Sequence, residues 1–163
     1  MSLRGDGSRP SDRASLAERI REVFGDAQYP TEPLLSHDCD ECRQMLDILS
    51  NRHWASLRAS ELIPKASSLA LLAPEGLCFF LPAYMLATLE SYDLVDVIPD
   101  NLLFALTPER GNELRFSSLM SCLTDDQKTV VRLFIQYLAD LDPLTYAQRC
   151  EQALASFPEP PTQ

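Results

Sequence analysis

The sequence predicts an all-α protein, a single compact domain of about six or seven helices. Apolar residues recur at intervals of three and four along most of the chain, as on one face of an amphipathic helix. Helix-capping patterns precede several of these stretches, and no interior linker or repeat divides the 163 residues. The predicted organisation is a flexible tail at 1–13, the helical domain at 14–156 and a Pro-rich tail at 157–163.

The first predicted helix lies in the stretch SLAERIREVFG. A capping box of Ser15 with Glu18 predicts its start, and Gly25 is a typical C-terminal stop. Its apolar stripe consists of Leu16, Ile20, Val23 and Phe24.

The second predicted helix spans Asp38 to Ser50, after a loop with two prolines. Ser36 or Asp38 is the predicted N-cap, because both side chains accept hydrogen bonds from free backbone amides. The predicted buried face consists of Cys42, Met45, Leu46 and Leu49.

Two prolines determine the structure predicted for the middle of the chain. Pro74 suits the first turn of a third long helix, and Pro82 predicts that this helix is kinked or restarted there. From Glu90 the stretch ESYDLVDVIPD is compatible with a helix or with extended structure, because it contains Val95, Val97 and Ile98.

The C-terminal third predicts two further helices. Thr124 and Gln127 form a capping box for the first, and Asp142 with Pro143 both ends it and opens the next. The last helix is predicted to place Leu144, Ala147, Cys150 and Leu154 inward.

Net charge limits the classes of partner. The chain carries 24 acids and 14 bases, a formal charge of −10, which disfavours nucleic acids and anionic membranes and permits a basic protein. The longest uncharged apolar run, Leu77 to Leu89, is too short to span a bilayer. Five cysteines without a secretory signal predict free thiols in a reducing cytoplasm.

The stretch SHDCDEC, residues 36–42, raises three alternatives. His37, Cys39 and Cys42 are candidate metal ligands, although zinc requires four ligands and no second CxxC exists. A redox CxxC is disfavoured by the neighbouring acids, because negative charge opposes thiolate formation. The favoured interpretation is a helix start in which the acids lie at the positive end and the cysteines face inward.

Two further surfaces are candidates for binding. Glu90, Asp93, Asp96 and Asp100 form a candidate docking face for a basic protein if the segment is helical. A second candidate is a small-molecule pocket lined by Trp54, Tyr84 and His37, because such side chains combine apolar bodies with polar tips.

The sequence lacks the patterns of nucleophilic catalysis. It has two histidines, no G-x-S-x-G elbow and no glycine-rich phosphate loop, and no cofactor is predicted. The leading hypothesis is therefore a non-enzymatic interaction protein that antagonises or escorts a basic partner. The alternatives are a metal-binding protein or metal-dependent enzyme that uses His37, Cys39 and Cys42, and a binder of small molecules. The oligomeric state is left open.

Several of these residues carry a family resemblance. The order His37, Glu41, Cys42, Trp54, Leu57, then LLAPEG, FFLPAYMLATL and LTDDQKTVVRLFIQYL resembles a family of small bacterial proteins with a domain of unknown function. The likeness extends from about Leu16 to Leu141, and LPAY at 81–84 is its most specific part. The resemblance implies a helical fold and a bacterial origin, and it supplies no activity.

Overall fold

A computed structural model describes residues 10–95, 97–157 and 159 of the chain. Within them, helices follow one another, the segment 25–39 between the first two α-helices is a long loop, and no strand occurs. The α-helices are α1 (Pro10–Phe24), α2 (Asp40–Leu49), α3 (Ala59–Leu62), α4 (Pro74–Glu90), α5 (Ile98–Ala105), α6 (Glu113–Cys122), α7 (Asp125–Leu141) and α8 (Pro143–Leu154). Three 3-10 helices span Trp54–Ser56, Ile63–Leu71 and Tyr92–Leu94. The predicted all-α single domain is confirmed, with eight α-helices in these ranges.

Helix α4 lies at the centre of the domain. It is apolar on every side, and nearly every residue from Gly76 to Leu89 is buried. Helices α1, α3, α5 and α6 pack around it, while α7 packs against α1 and α8. The helix continues through Pro82 without a restart, although proline removes one backbone donor from the helix.

A short backbone contact fixes the start of α4. Leu35 and Leu72 form an isolated antiparallel bridge, and the Ala73 amide donates to the Leu34 carbonyl oxygen at 2.8 Å. Gly76 lies directly against this segment, with a position for Cβ only 2.6 Å from the same oxygen. A side chain at position 76 therefore has no room.

The predicted starts of α1 and α2 are wrong. Helix α1 begins at Pro10, inside the segment predicted as a tail, so Ser15 lies within the helix and does not cap it. Proline suits a first helical turn because backbone N–H groups there have no partner within the helix, so the N–H that proline lacks is not needed. Helix α2 begins at Asp40, and Cys39, rather than Ser36 or Asp38, is its N-cap. Residues 1–9 lie outside the described ranges.

The segment from Glu90 to Asp100 is neither one helix nor a strand. Helix α4 ends at Glu90, a 3-10 helix spans Tyr92–Leu94, and α5 begins at Ile98. Asp96 lies outside the described residues. The described acids of the predicted docking face, Glu90, Asp93 and Asp100, therefore lie in three different helices.

The C-terminal helices match the prediction in their caps and differ in one face. The Thr124–Gln127 capping box and the shared cap at Asp142 are confirmed. Leu144, predicted inward, is 93% exposed, and Ala147 is also exposed. Cys150 is buried as predicted, and the other buried residues of α8 are Tyr146 and Ala153.

The predicted C-terminal tail at 157–163 begins with a core residue. Phe157 is only 1% exposed, and its carbonyl oxygen accepts a hydrogen bond from the Arg132 guanidinium. Residues 158 and 160–163 lie outside the described ranges. None of the helices in the described part of the chain is long and apolar enough to cross a membrane.

Candidate functional site

A wide cleft opens between α1, the loop that follows it, the start of α4 and the turn between α6 and α7. Its volume is about 1250 Å³, which exceeds the roughly 300–1,000 Å³ of typical small-molecule sites. The cleft is therefore larger than most sites that enclose a metabolite. We call it the acidic cleft, because six acids line it: Glu18, Glu22, Asp26, Glu32, Glu75 and Asp126.

The charge of the acidic cleft is largely uncompensated. Among the described residues that line it, Arg19 is the one basic residue, which leaves a formal charge of −5 from six acids and one base. All six carboxylates are exposed, and none lies in an ion pair with another described residue. Glu75 and Asp126 belong to the first turns of α4 and α7, where the helix ends offset part of their charge.

The inner wall of the cleft carries two thiols, Cys78 and Cys122. Burial, with a smaller contribution from Cys122, raises the pKa of Cys78 to about 12. Partial burial and the charge of Glu75 likewise raise the pKa of Cys122. Both thiols therefore stay protonated near neutral pH, and the chemistry that the cleft offers is electrostatic attraction of cations.

The predicted docking face has a different electrostatic state. Glu90 pairs with Arg21, and Asp100 pairs with Arg149, whose guanidinium also donates to the Asp100 carbonyl oxygen at 3.0 Å. Asp93 is exposed in the 3-10 helix that follows α4. Two of the predicted acids are thus paired with described residues, whereas none of the six cleft acids forms an ion pair within the described part of the chain.

The predicted pocket residues occupy unlike environments. Trp54 is 2% exposed, and its indole N–H donates to the Phe24 carbonyl oxygen at 3.1 Å. It borders a hollow of about 200 Å³, whose wall includes neither Tyr84 nor His37. Tyr84 is fully buried in α4, and its hydroxyl has no hydrogen-bond partner among the described residues. His37 is exposed.

The candidate metal ligands do not assemble into a metal centre. His37 is exposed, Cys39 is half-buried and Cys42 is buried. Across the described part of the chain, no group of three or more His, Cys, Asp or Glu side chains is placed to hold a metal ion.

Sequence reasoning missed the acidic cleft, although α1 carries a signal for it. Glu18 and Glu22 are four residues apart, so they lie on one face of α1, and Asp26 follows its end. Like charges at this spacing destabilise a helix slightly, so such a pair indicates a role other than helix stability. The contributions of Glu75 and Asp126 have no signal in the sequence, because they join this face only through packing.

The fold and the cleft define a class: a small all-α domain with an acidic cleft. The chain belongs to the family of unknown function (DUF6714), whose sequence profile matches residues 12–160. Comparison with curated proteins and with solved structures found no match. The predicted membership in a domain family of unknown function is therefore confirmed, and the family brings no activity with it.

Proposed function

We propose that the protein is a non-enzymatic interaction module that binds a basic protein by holding an Arg- or Lys-rich segment in the acidic cleft. The observation that carries the proposal is the set of six exposed carboxylates around one cleft, with a single arginine among them. The class of partner is the one that the acidic sequence favours. Its binding surface differs from the docking face at Glu90–Asp100.

Electrostatics gives this arrangement a specific advantage. Carboxylates gathered around a concave surface reinforce one another's potential, which raises the local concentration of cations and speeds association. A unit charge about 6 Å from a cation contributes about 0.7 kcal/mol in water, and physiological salt roughly halves it. Three cleft carboxylates together then contribute about 1 kcal/mol, or roughly a fivefold change in Kd.

A charge-matched comparison tests the proposal. The probe is a fluorescein-labelled nona-arginine peptide, and its Kd is measured by fluorescence anisotropy at physiological and at raised salt. The cleft variant combines Glu22→Gln, Asp26→Asn and Glu75→Gln. The control variant removes three exposed acids that lie outside the cleft and in no ion pair with a described residue: Glu41→Gln, Asp47→Asn and Glu151→Gln.

We expect the cleft variant to bind about fivefold more weakly and the control variant to bind within about twofold of the parent. Raised salt should reduce the difference between the two variants, since screening weakens exposed charges. Equal losses in both variants would show that the peptide responds only to net charge, and the proposal would fail. A larger loss in Asp93→Asn with Asp96→Asn would move the site to the docking face.

A further inference from the structure

Two thiols lie in contact at the start of α2. Cys39 is the N-cap of the helix and Cys42 lies in its first turn, and their sulfur atoms are 2.9 Å apart. One thiol donates a hydrogen bond to the other, and both are free. A disulfide bond is about 2.05 Å long, so the sulfurs need to approach by less than an ångström to bond.

The two thiols differ in access. Cys42 is 1% exposed and packs in the core, whereas Cys39 is half-buried at the edge of the core. The hydrogen bond with Cys39 is the main cause that raises the pKa of Cys42, and burial adds to it. Cys42 therefore remains a thiol, and Cys39 is the sulfur that a reagent in solution meets first.

Two features of the backbone are directed at the Cys39 sulfur. The Cys42 amide donates to the Cys39 Sγ at 3.3 Å, and the positive end of α2 faces the same atom. The negative charges of the flanking acids Asp38 and Asp40, which by sequence alone disfavour a redox role, are partly compensated. Arg43 lies 3.3 Å from the Asp38 carboxylate and 3.0 Å from that of Asp40.

We propose that Cys39 and Cys42 form a redox-active dithiol that is oxidised to an intramolecular disulfide by exchange with low-molecular-weight disulfides. This inference is independent of the acidic cleft and would give the module an oxidised and a reduced state. The reaction class is thiol–disulfide exchange, with Cys39 as the attacking sulfur and Cys42 as the resolving sulfur.

The exchange balances in two steps. The Cys39 thiolate attacks one sulfur of the small disulfide, whose S–S bond breaks, and one small thiolate leaves and takes up a proton. Cys42 then loses its proton and attacks the Cys39 sulfur of the mixed disulfide, which releases the second small thiol. The two protein thiols lose two electrons, and the small disulfide gains them as two thiols.

The other cysteines provide internal controls. Cys78 is partly buried beside Cys122 on the wall of the acidic cleft, and its pKa is raised to about 12. Cys150 is buried in α8, where desolvation raises its pKa to about 11. Cys78 and Cys150 should therefore react slowly at neutral pH. Cys122 is exposed, but desolvation and the charge of Glu75 raise its pKa and it has a less closely placed partner than the α2 pair, so oxidation should begin at the α2 pair.

Mass spectrometry of tryptic peptides separates these possibilities. The full chain is incubated with mixtures of reduced and oxidised glutathione, quenched with acid, blocked at free thiols and digested. Cys39 and Cys42 fall in one peptide, from Glu22 to Arg43, whereas Cys78, Cys122 and Cys150 fall in three others. An intramolecular disulfide thus appears as the loss of two hydrogens from that single peptide.

Two variants assign the roles of the sulfurs. Cys42→Ser should accumulate a glutathione adduct on Cys39, about tenfold more than Cys39→Ser accumulates on Cys42, because Cys42 is buried. Serine is itself a good N-cap, so Cys39→Ser should keep the fold, which far-ultraviolet circular dichroism checks.

The expected result is a disulfide in the peptide 22–43 that forms before any other cysteine reacts and is reversed by excess reduced glutathione. The proposal is overturned if this peptide keeps two free thiols in a large excess of oxidised glutathione. It is also overturned if a Cys78–Cys122 disulfide forms first, or if Cys42→Ser and Cys39→Ser take up equal amounts of glutathione.

Discussion

Gly76→Ala is expected to destabilise the protein, although alanine is the better helix former. Gly76 lies in the first turn of α4, and a Cβ there meets the Leu34 carbonyl oxygen at 2.6 Å and the Leu34 Cα at 3.2 Å. Both atoms belong to the backbone, so no side-chain rotation relieves the contact. The segment at Leu34 must move away from the helix.

The magnitude follows from three contributions. Overpacking a tight contact costs about 1–3 kcal/mol. Displacement of Leu34 also weakens the hydrogen bond that its carbonyl oxygen accepts from the Ala73 amide at 2.8 Å, which costs about 1 kcal/mol. Replacing glycine by alanine in a helix gains about 1 kcal/mol. The net loss is about 1–3 kcal/mol.

Equilibrium urea unfolding, followed by circular dichroism, measures this loss. Ala147→Gly, at an exposed position within α8, calibrates what helix propensity alone contributes in this protein. We expect that control to cost about 1 kcal/mol. If Gly76→Ala instead raises the free energy of unfolding by as much as Ala147→Gly lowers it, helix propensity alone accounts for both changes and the steric argument is refuted.

Three further predictions concern the core and one ion pair. Trp54→Ala should lower the free energy of unfolding in urea by about 3–5 kcal/mol, because it empties a buried site and removes the hydrogen bond to Phe24. In the parent protein, the emission of Trp54 should be blue-shifted. A water-like emission maximum would contradict the burial of Trp54. Tyr84→Phe should leave the free energy of unfolding unchanged or raise it, since the removed hydroxyl is buried without a partner among the described residues. A loss of stability above about 1 kcal/mol would instead reveal a partner such as buried water. Arg52, at 2.7 Å from the Glu61 carboxylate, donates to it and lowers the pKa of Glu61 below its usual 4.5. Because the pKa of Glu61 is lowered in the folded state, the ionised carboxylate stabilises the protein above pH 4.5, and this stabilisation is lost as the pH falls. Glu61→Gln should therefore lower the free energy of unfolding modestly at pH 7, and the difference between parent and variant should shrink in acid. A difference that grows in acid would reverse the assigned sign.

Local chemistry in the sequence predicted the helices well. The Thr124–Gln127 capping box and the Asp142–Pro143 junction act through neighbours three residues apart, so the sequence displays the cause and its effect together. The burial of Trp54 was also predictable, because large aromatic side chains dominate cores. The apolar stretch around Pro82 indicated a core helix, and α4 is that helix.

Helix starts were harder to predict. Ser15 with Glu18 has the pattern of a capping box, yet α1 begins at Pro10. Along α8, Cys150 was correctly placed inward but Leu144 and Ala147 were not, because each one-residue change in register turns a helix face by about 100°. Leu144 is therefore exposed while Tyr146 is buried.

By itself, the sequence determined the all-α class, the acidity and most of the buried apolar positions, since these depend on residues within about one helical turn. Leu46, predicted on the buried face of α2, is an exception and is exposed. Tertiary structure alone decided which charges meet. Glu22, Glu75 and Asp126 lie far apart in the chain, and the packing of α1 against α4 and α7 brings them to one cleft. Packing likewise pairs Glu90 with Arg21 and so compensates a charge that the sequence shows as free. The physical reason is that electrostatic interactions depend on distance in space, which only the folded chain sets.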